Sequence, residues 1–171
     1  YHQTQDYVKL AKELQARGVN SICIKDMSGM IKPYVAYDLV KALKAEVDLP
    51  VHLHTHYTSG MAAMAELKAA EAGVDIIDCA LSTFANGTSQ PPTESMIATF
   101  EGTEYDTGID RQALKPVALH FAGVKKRIAE EFGLNTHFDT NVNVLDFQIP
   151  GGMLSNLRKQ MSEMGLESDE D

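Results

Sequence analysis

The chain has 171 residues, 44% of them hydrophobic, and a formal net charge of −9 at pH 7. This length is enough for one domain with a hydrophobic core, and the acidic balance argues against binding to nucleic acid or to anionic membranes. No apolar run approaches the roughly 20 residues that cross a bilayer, so we expect no direct membrane insertion.

The first residues and the cysteines indicate the context of the chain. It begins with Tyr1 and runs straight into a helical pattern, which we interpret as an interior piece of a longer polypeptide. Cys23 and Cys79 each lie in an apolar, strand-like run. We expect both to be buried, unpaired thiols, as suits a protein of the reducing cytoplasm.

Three strand–helix units follow one another in the first half of the chain. The spacing of apolar residues predicts helices over 4–17, 33–45 and 61–72, and strands over 21–25, 51–56 and 74–80. Such alternation with tight connections is typical of parallel βαβ units. It fits either a doubly wound open sheet or part of a (β/α)8 barrel, and both gather reactive side chains at the carboxyl ends of their strands.

The second half is predicted to be mostly helical. A loop covers 86–92, one helix opens at Pro91 or Pro92 and ends near Thr99, and two more cover 110–132 and 153–164. The expected division is a partial barrel over 1–100, a helical segment over 101–166 and an acidic tail over 167–171.

Polar residues stand at the carboxyl ends of the first two strands. Residues two apart in a strand point to the same side, so His54 and His56 project together with His52. On the first strand the corresponding side holds Cys23 and Lys25. Polar groups that converge on a central axis favour a barrel mouth over an open sheet.

The histidine pair suggests a metal site. Neutral imidazole binds zinc, cobalt, manganese or nickel, and the spacing favours metal binding at His54 and His56, with packed or hydrogen-bonded histidines as the alternative. His52 lies deeper in the strand and is interpreted as a supporting or core residue. No role is assigned to the remaining histidines, His2, His120 and His137.

Lys25 is ambiguous on spacing alone. A free ammonium group does not bind a metal, but a lysine carboxylated by CO2 becomes an anionic carbamate that offers oxygen ligands. The alternative is an ion pair with Asp26 or Asp78, and spacing alone favours that ion pair.

Six segments together carry a family resemblance, and they cover nearly the whole chain in order. They are 24–29 (IKDMSG), 49–60 (LPVHLHTHYTSG), 71–75 (EAGVD), 87–91 (GTSQP), 105–108 (YDTG) and 150–157 (PGGMLSNL). The sequence resembles the carboxyltransferase domain of biotin-dependent enzymes. That family includes pyruvate carboxylase, the oxaloacetate decarboxylase α subunit and the transcarboxylase metal subunit.

The resemblance implies a fold and a set of site residues. The fold is an α/β one: the C-terminal part of a (β/α)8 barrel, followed by a mostly helical funnel segment. Lys25 matches the carboxylated lysine ligand, and His54 and His56 match the histidine ligands. Ser155 matches a hydroxyl that handles the proton between biotin and the enol of pyruvate. Without the resemblance, Ser155 is better interpreted as a helix cap after Gly151 and Gly152.

The resemblance also implies an activity and its partners. A carboxyl group would move between carboxybiotin and pyruvate or oxaloacetate, with a divalent metal (zinc, alternatively cobalt or manganese) stabilising an enolate. No Met-Lys-Met biotin site occurs in the sequence, so biotin is expected on a carrier domain or subunit. The N-terminal barrel half, with a further Asp ligand, is also expected elsewhere, and we expect a homo-oligomer.

Two other functions stay open. A metal-dependent aldolase or lyase of a related barrel would work without biotin, and a non-catalytic assembly module would use its apolar half-barrel edges to bind a partner. One position departs from the family pattern, because Tyr57 follows the histidine pair where many relatives have Asp or another small residue. We expect the 171 residues to be inactive by themselves, since part of the site is absent.

Overall fold

The computed structural model describes residues 3–133 together with residues 140, 142, 145, 160, 161 and 164. Within this part of the chain the elements are α1 (Thr4–Ala16), β1 (Ile22–Asp26), α2 (Pro33–Glu46), β2 (Val51–Thr55), α3 (Ala62–Glu71), β3 (Ile76–Ile77), α4 (Thr93–Phe100) and α5 (Arg111–Phe132). The strand–helix alternation predicted from the sequence is confirmed.

The three strands form one parallel sheet in the order β1-β2-β3. The register of β1 and β2 pairs Ile22 with Val51 at one end and Asp26 with Thr55 at the other. Because α2 and α3 connect neighbouring parallel strands, all carboxyl ends lie at the same edge of the sheet. That edge carries the candidate site.

Helices cover one face of this sheet. The core joins Val8 and Ala11 of α1, Ala36, Leu39, Val40 and Leu43 of α2, and Ala65 and Ala69 of α3 to Ile22, Val51 and Leu53 of the strands. On β2 the buried residues alternate with half-buried ones, so the histidines point to the other face. In the described part of the chain the core helices α1, α2 and α3 share one face, as in a barrel wall, whereas a doubly wound sheet has helices on both faces.

Strand β3 is shorter than predicted, because it spans Ile76–Ile77 instead of 74–80. Its backbone still bonds to β2 at both ends, from Asp75 N to the Val51 carbonyl (2.9 Å) and from Asp78 N to the Leu53 carbonyl (3.2 Å). Beyond that point the chain leaves β2, and Ala80 forms a parallel bridge with Pro92 instead. The apolar pattern of 74–80 does not reveal this change of partner.

One expectation about the cysteines is wrong. Both thiols are unpaired, as expected, but Cys23 is exposed and only Cys79 is largely covered. Cys23 alternates along β1 with the core residue Ile22, so it lies on the face of the sheet opposite the core, where it is exposed. Its apolar neighbours Ile22 and Ile24 pack on or within the core, which is why the sequence run looks buried throughout.

The helices after β3 have the predicted order. Helix α5 is capped at its N-terminus by Asp110, whose side chain accepts a hydrogen bond from Gln112 N (2.8 Å), and at its C-terminus by Gly133 with φ +61°. It contacts the 81–84 loop, where Thr83 Oγ1 donates to the Ala118 carbonyl (3.0 Å). The predicted division at residue 100 stays a prediction. The helix over 153–164 and the tail over 167–171 fall essentially outside the described residues.

None of the helices in the described part of the chain combines the length and apolar character that crossing a membrane requires.

Candidate metal-binding site

The register of the sheet places Lys25 beside His54. The two residues are partners in the ladder between β1 and β2, and neighbouring strands direct paired residues to the same face. His56 follows β2 by one residue and shares the face of His54, with the two rings edge to face and their centroids 5.2 Å apart. All three predicted ligands therefore lie at one end of one sheet face.

Asp78 holds the ring of His54. Its Oδ2 lies 2.7 Å from His54 Nδ1, and its Oδ1 lies 3.0 Å from His52 Nε2, although the second contact lacks hydrogen-bond geometry. Burial acts to raise the pKa of the Asp78 carboxyl, but the contacts with His54 and His52 outweigh burial and lower the pKa. The carboxylate is therefore ionised and can only accept, so Nδ1 of His54 carries a proton.

The loop after β3 holds the ring of His56. Its Nδ1 lies 2.5 Å from the carbonyl oxygen of Thr88, which can only accept a hydrogen bond. The same loop binds the backbone next to His56, because Tyr57 N donates to the Ser89 carbonyl (2.7 Å). Nδ1 of His56 therefore also carries a proton, and its Nε2 is the free position.

The two Nε2 atoms face each other at 3.3 Å. In the neutral form of both rings each Nε2 carries a lone pair, and two lone pairs at this distance repel unless a proton or a cation lies between them. Two nitrogen ligands of a tetrahedral zinc ion, each about 2.0–2.1 Å from the metal, would lie about 3.3–3.4 Å apart. The donor atoms thus fit a shared divalent metal.

Two histidines alone do not complete a metal site. Among the described residues, no group of three or more His, Cys, Asp or Glu side chains is arranged to hold an ion. Lys25 is the additional candidate. It has no ion pair or hydrogen bond within the described part of the chain, because Asp26 binds the loop of residues 28–31 and Asp78 binds the histidines. The ion pair that spacing favoured is absent there.

Other predicted residues are placed only in part. Ser155, His2 and His137 lie outside the described residues. His120 lies on α5 and packs edge to face on Phe121, with ring centroids 5.3 Å apart. For Tyr57 the structure fixes the backbone position beside the site but not a role for the side chain.

The sequence interpretation missed the partners of the histidines. Asp78 was considered only as a partner of Lys25, although it directly follows the third strand and the parallel order brings it next to His54. The Thr88 carbonyl carries no sequence signal, because any residue offers one. The charged residue on the inner face of α3 was missed as well, and its signal was a Glu at position 66 among Ala62, Ala65 and Ala69.

That residue, Glu66, is fully buried and lies next to Cys79. Its Oε2 is 3.7 Å from Cys79 Sγ, and its Oε1 has no hydrogen-bond partner within the described residues. Burial raises the pKa of Glu66 to about 8, and burial together with Glu66 raises the pKa of Cys79 to about 12. Both groups are therefore mainly neutral at pH 7, and Cys79 is an unreactive thiol.

Comparison with known proteins supports this description of the fold. The chain is 49% identical over 164 residues to a pyruvate carboxylase subunit of Methanocaldococcus jannaschii, covering 96% of this chain and 29% of that protein. It is 39% identical over 172 residues to the methylmalonyl-CoA carboxyltransferase 5S subunit of Propionibacterium freudenreichii subsp. shermanii, covering 99% of this chain and 34% of that protein. The chain thus spans about a third or less of the length of these relatives.

Among solved structures, the carboxyl transferase domain of Rhizobium etli pyruvate carboxylase with pyruvate matches with a TM-score of 0.92 at 36% identity. The match covers 98% of this chain and 28% of that one. The resemblance to carboxyltransferase domains and the expectation of a partial barrel are thereby confirmed. The family model described as HMGL-like matches residues 2–119, so the chain belongs to the HMGL-like family.

Proposed function

We propose that this chain is the part of a biotin-dependent carboxyltransferase that supplies Lys25, His54 and His56 to a divalent metal. The observation that carries the proposal is the 3.3 Å distance between Nε2 of His54 and Nε2 of His56, with Lys25 as the neighbouring strand residue. A carbamate on Lys25 would add the negative charge and the oxygen ligand that the histidines lack. Zinc is the first candidate, and cobalt or manganese are the alternatives.

The proposed reaction moves a carboxyl group between carboxybiotin and pyruvate, or the reverse from oxaloacetate. The methyl carbon of pyruvate loses a proton and gains the carboxyl group, while the biotin nitrogen loses the carboxyl group and gains a proton. When bound, the metal supplies positive charge that stabilises the enolate form of the substrate. Ser155 is proposed to carry the proton between substrate and biotin, since a hydroxyl both donates and accepts.

The residues around the ligands have defined tasks in this proposal. Asp78 and the Thr88 carbonyl keep the Nδ1 protons of His54 and His56 in place, so that both Nε2 atoms stay available for the metal. His52 contributes through Asp78, which it contacts at 3.0 Å. We assign Tyr57 no chemical step.

Several partners belong to the proposal. Three strands cannot close an eight-stranded barrel, and the chain spans 29% of its Methanocaldococcus jannaschii relative, so we propose that further strands and a further ligand come from the rest of the protein. Biotin would arrive on a carrier domain or subunit. A homo-oligomer and a cytoplasmic location are proposed too, and the two unpaired cysteines are consistent with that location.

The test uses the parent protein, by which we mean the longer protein that supplies the further strands and the further ligand. We expect one bound divalent metal per site, and a mass increase of one CO2 on the peptide with Lys25. His54→Ala and Lys25→Ala should each lose the metal and the carboxyl transfer between oxaloacetate and a biotin carrier. His120→Ala on α5 is the matched histidine control and should keep both.

Two results would reject the proposal. One is wild-type protein that binds no metal and carries an unmodified Lys25. The other is turnover of an oxo acid or acyl-CoA substrate without any biotin carrier, which would favour the aldolase or lyase. The relatives named above are a carboxylase subunit and a carboxyltransferase subunit, which supports the first function over this alternative.

A further inference from the structure

We propose that Asp26 and Thr55 are positioning residues, which fix the strand that carries Lys25 relative to the strand that carries His54 and His56. They act from the helix-covered face of the sheet, opposite the ligands. The inference rests on the proposed function, because it assumes that these three residues share a metal.

Thr55 is placed between the two histidines but points the other way. Its side chain is completely buried, whereas His54 and His56 are half-buried on the open face. Its hydroxyl Oγ1 donates to Asp26 Oδ2 at 3.0 Å. Asp26 and Thr55 are the last paired residues of β1 and β2, so this hydrogen bond closes the ladder at the ligand end.

Asp26 is itself fixed by the loop that follows it. Its Oδ2 accepts from Ile31 N at 2.7 Å, and its Oδ1 accepts from Ser28 N at 3.2 Å. Its backbone carbonyl accepts from His56 N at 3.1 Å. One residue therefore joins the loop after β1, the side chain of Thr55 and the backbone of His56.

Each proposed ligand is the chain neighbour of one of these two residues. Lys25 precedes Asp26, while His54 and His56 flank Thr55. Neighbouring residues in a strand are only about 3.3 Å apart, so the ligands move together with Asp26 and Thr55. If these two residues separate, the distance between Lys25 and the histidines grows by a similar amount, and a zinc–nitrogen bond is only about 2.0–2.1 Å long. The hydrogen bond at the ladder end opposes that separation.

The first experiment replaces Thr55 with Val, which keeps the shape and removes the hydroxyl. In the parent protein we expect the affinity for Zn²⁺, measured by competition with a chelator, to fall roughly 10–100-fold. Thr55→Ser restores the hydroxyl and should recover most of the affinity. Thr103→Val is the matched control, since it removes a hydrogen bond of 2.7 Å to the Phe100 carbonyl in the turn after α4. It should lower the melting temperature without changing Zn²⁺ affinity.

A second variant covers the case in which Thr55→Val does not fold. Asp26→Asn preserves size but loses one acceptor oxygen, and we expect the same loss of Zn²⁺ affinity and less CO2 on Lys25. If both variants bind Zn²⁺ like the unchanged protein, or if Thr103→Val weakens binding as much as Thr55→Val, the positioning role is wrong. Retention of the metal by His54→Ala would instead reject the proposed function itself.

Discussion

Gly29 and His56 pack backbone to backbone, so closely that a Cβ atom on residue 29 would overlap the carbonyl oxygen of His56. The backbone of Gly29 also has φ +66°, a left-handed conformation that side chains disfavour. Its carbonyl accepts a hydrogen bond from the buried hydroxyl of Ser59. The loop after β1 therefore packs against the backbone at the end of β2, next to His56.

This packing predicts a large cost for Gly29→Ala. The left-handed backbone alone costs about 1–2 kcal/mol for an L-residue, and the overlap with His56 adds to that. Gly108→Ala is the control, because Gly108 has φ +67° and no atom within 4 Å of an added Cβ. Denaturant unfolding of the parent protein should show a larger loss of free energy for Gly29→Ala. Equal losses of unfolding free energy for the two variants would mean that the loop after β1 shifts away from His56 and relieves the overlap.

Asp78→Asn should weaken metal binding while leaving the fold intact. An amide loses the charge that holds the proton on His54 Nδ1, so the imidazole is free to take the other tautomer and block its Nε2. We expect roughly 10–100-fold lower affinity for Zn²⁺, measured by chelator competition. Asp75→Asn changes a carboxylate of the same strand region that pairs with Lys44, and it should leave the affinity unchanged. Equal affinity for both variants would contradict the role of Asp78.

Glu66 should make stability depend on pH. Its pKa is raised from 4.5 to about 8 by burial, so the folded protein holds this proton more tightly than the unfolded chain does. The contribution of Glu66 to the free energy of unfolding is therefore fully present below about pH 4.5. It falls as the pH rises to about 8, by a total on the order of 5 kcal/mol. Glu66→Gln cannot ionise and should remove most of this decline.

The measurement compares denaturant unfolding of the parent protein and of Glu66→Gln at pH 6 and pH 9. The variant should gain stability relative to the unchanged protein at the higher pH. Glu13→Gln on the exposed side of α1 is the control, and its difference from the unchanged protein should be the same at both pH values. Parallel pH profiles for Glu66→Gln and the unchanged protein would show that Glu66 is already ionised in the folded state.

The 171-residue chain by itself should not decarboxylate oxaloacetate. The described residues offer two histidines and one lysine, and the proposed site needs at least one more ligand and the substrate-binding groups of the rest of the barrel. A spectrophotometric assay of the purified chain, with Zn²⁺ and a biotin carrier added, tests this. Turnover abolished by His54→Ala would show that the chain is sufficient.

The sequence predicts the first half of the fold well because each element has a local signal. The strand with Lys25, the helix opened by Pro33 and the strand with the histidines all lie within one or two residues of their predicted bounds. The third strand is less predictable, since its end depends on a choice between β2 and the segment at Pro92. That choice is a long-range backbone contact, and apolar spacing does not encode it.

The candidate site also has a part that local sequence patterns predict and a part that they do not. Alternation along a strand is enough to place His54 and His56 on one face, and the parallel order then brings Lys25 beside them. The support for these residues comes from across the chain, from Asp78 and from a carbonyl at Thr88, so spacing within one segment cannot show it. The role of Ser155 stays a prediction.

Strand β1 has a hydrogen-bonded neighbour on one side only within the described residues. On its other side no strand of the described residues pairs with its amide and carbonyl groups, and such an unpaired edge is a template for any extended segment nearby. When this chain is expressed by itself, we therefore expect it to aggregate or to form domain-swapped oligomers through this edge. Co-expression with the remaining strands of the barrel should prevent both.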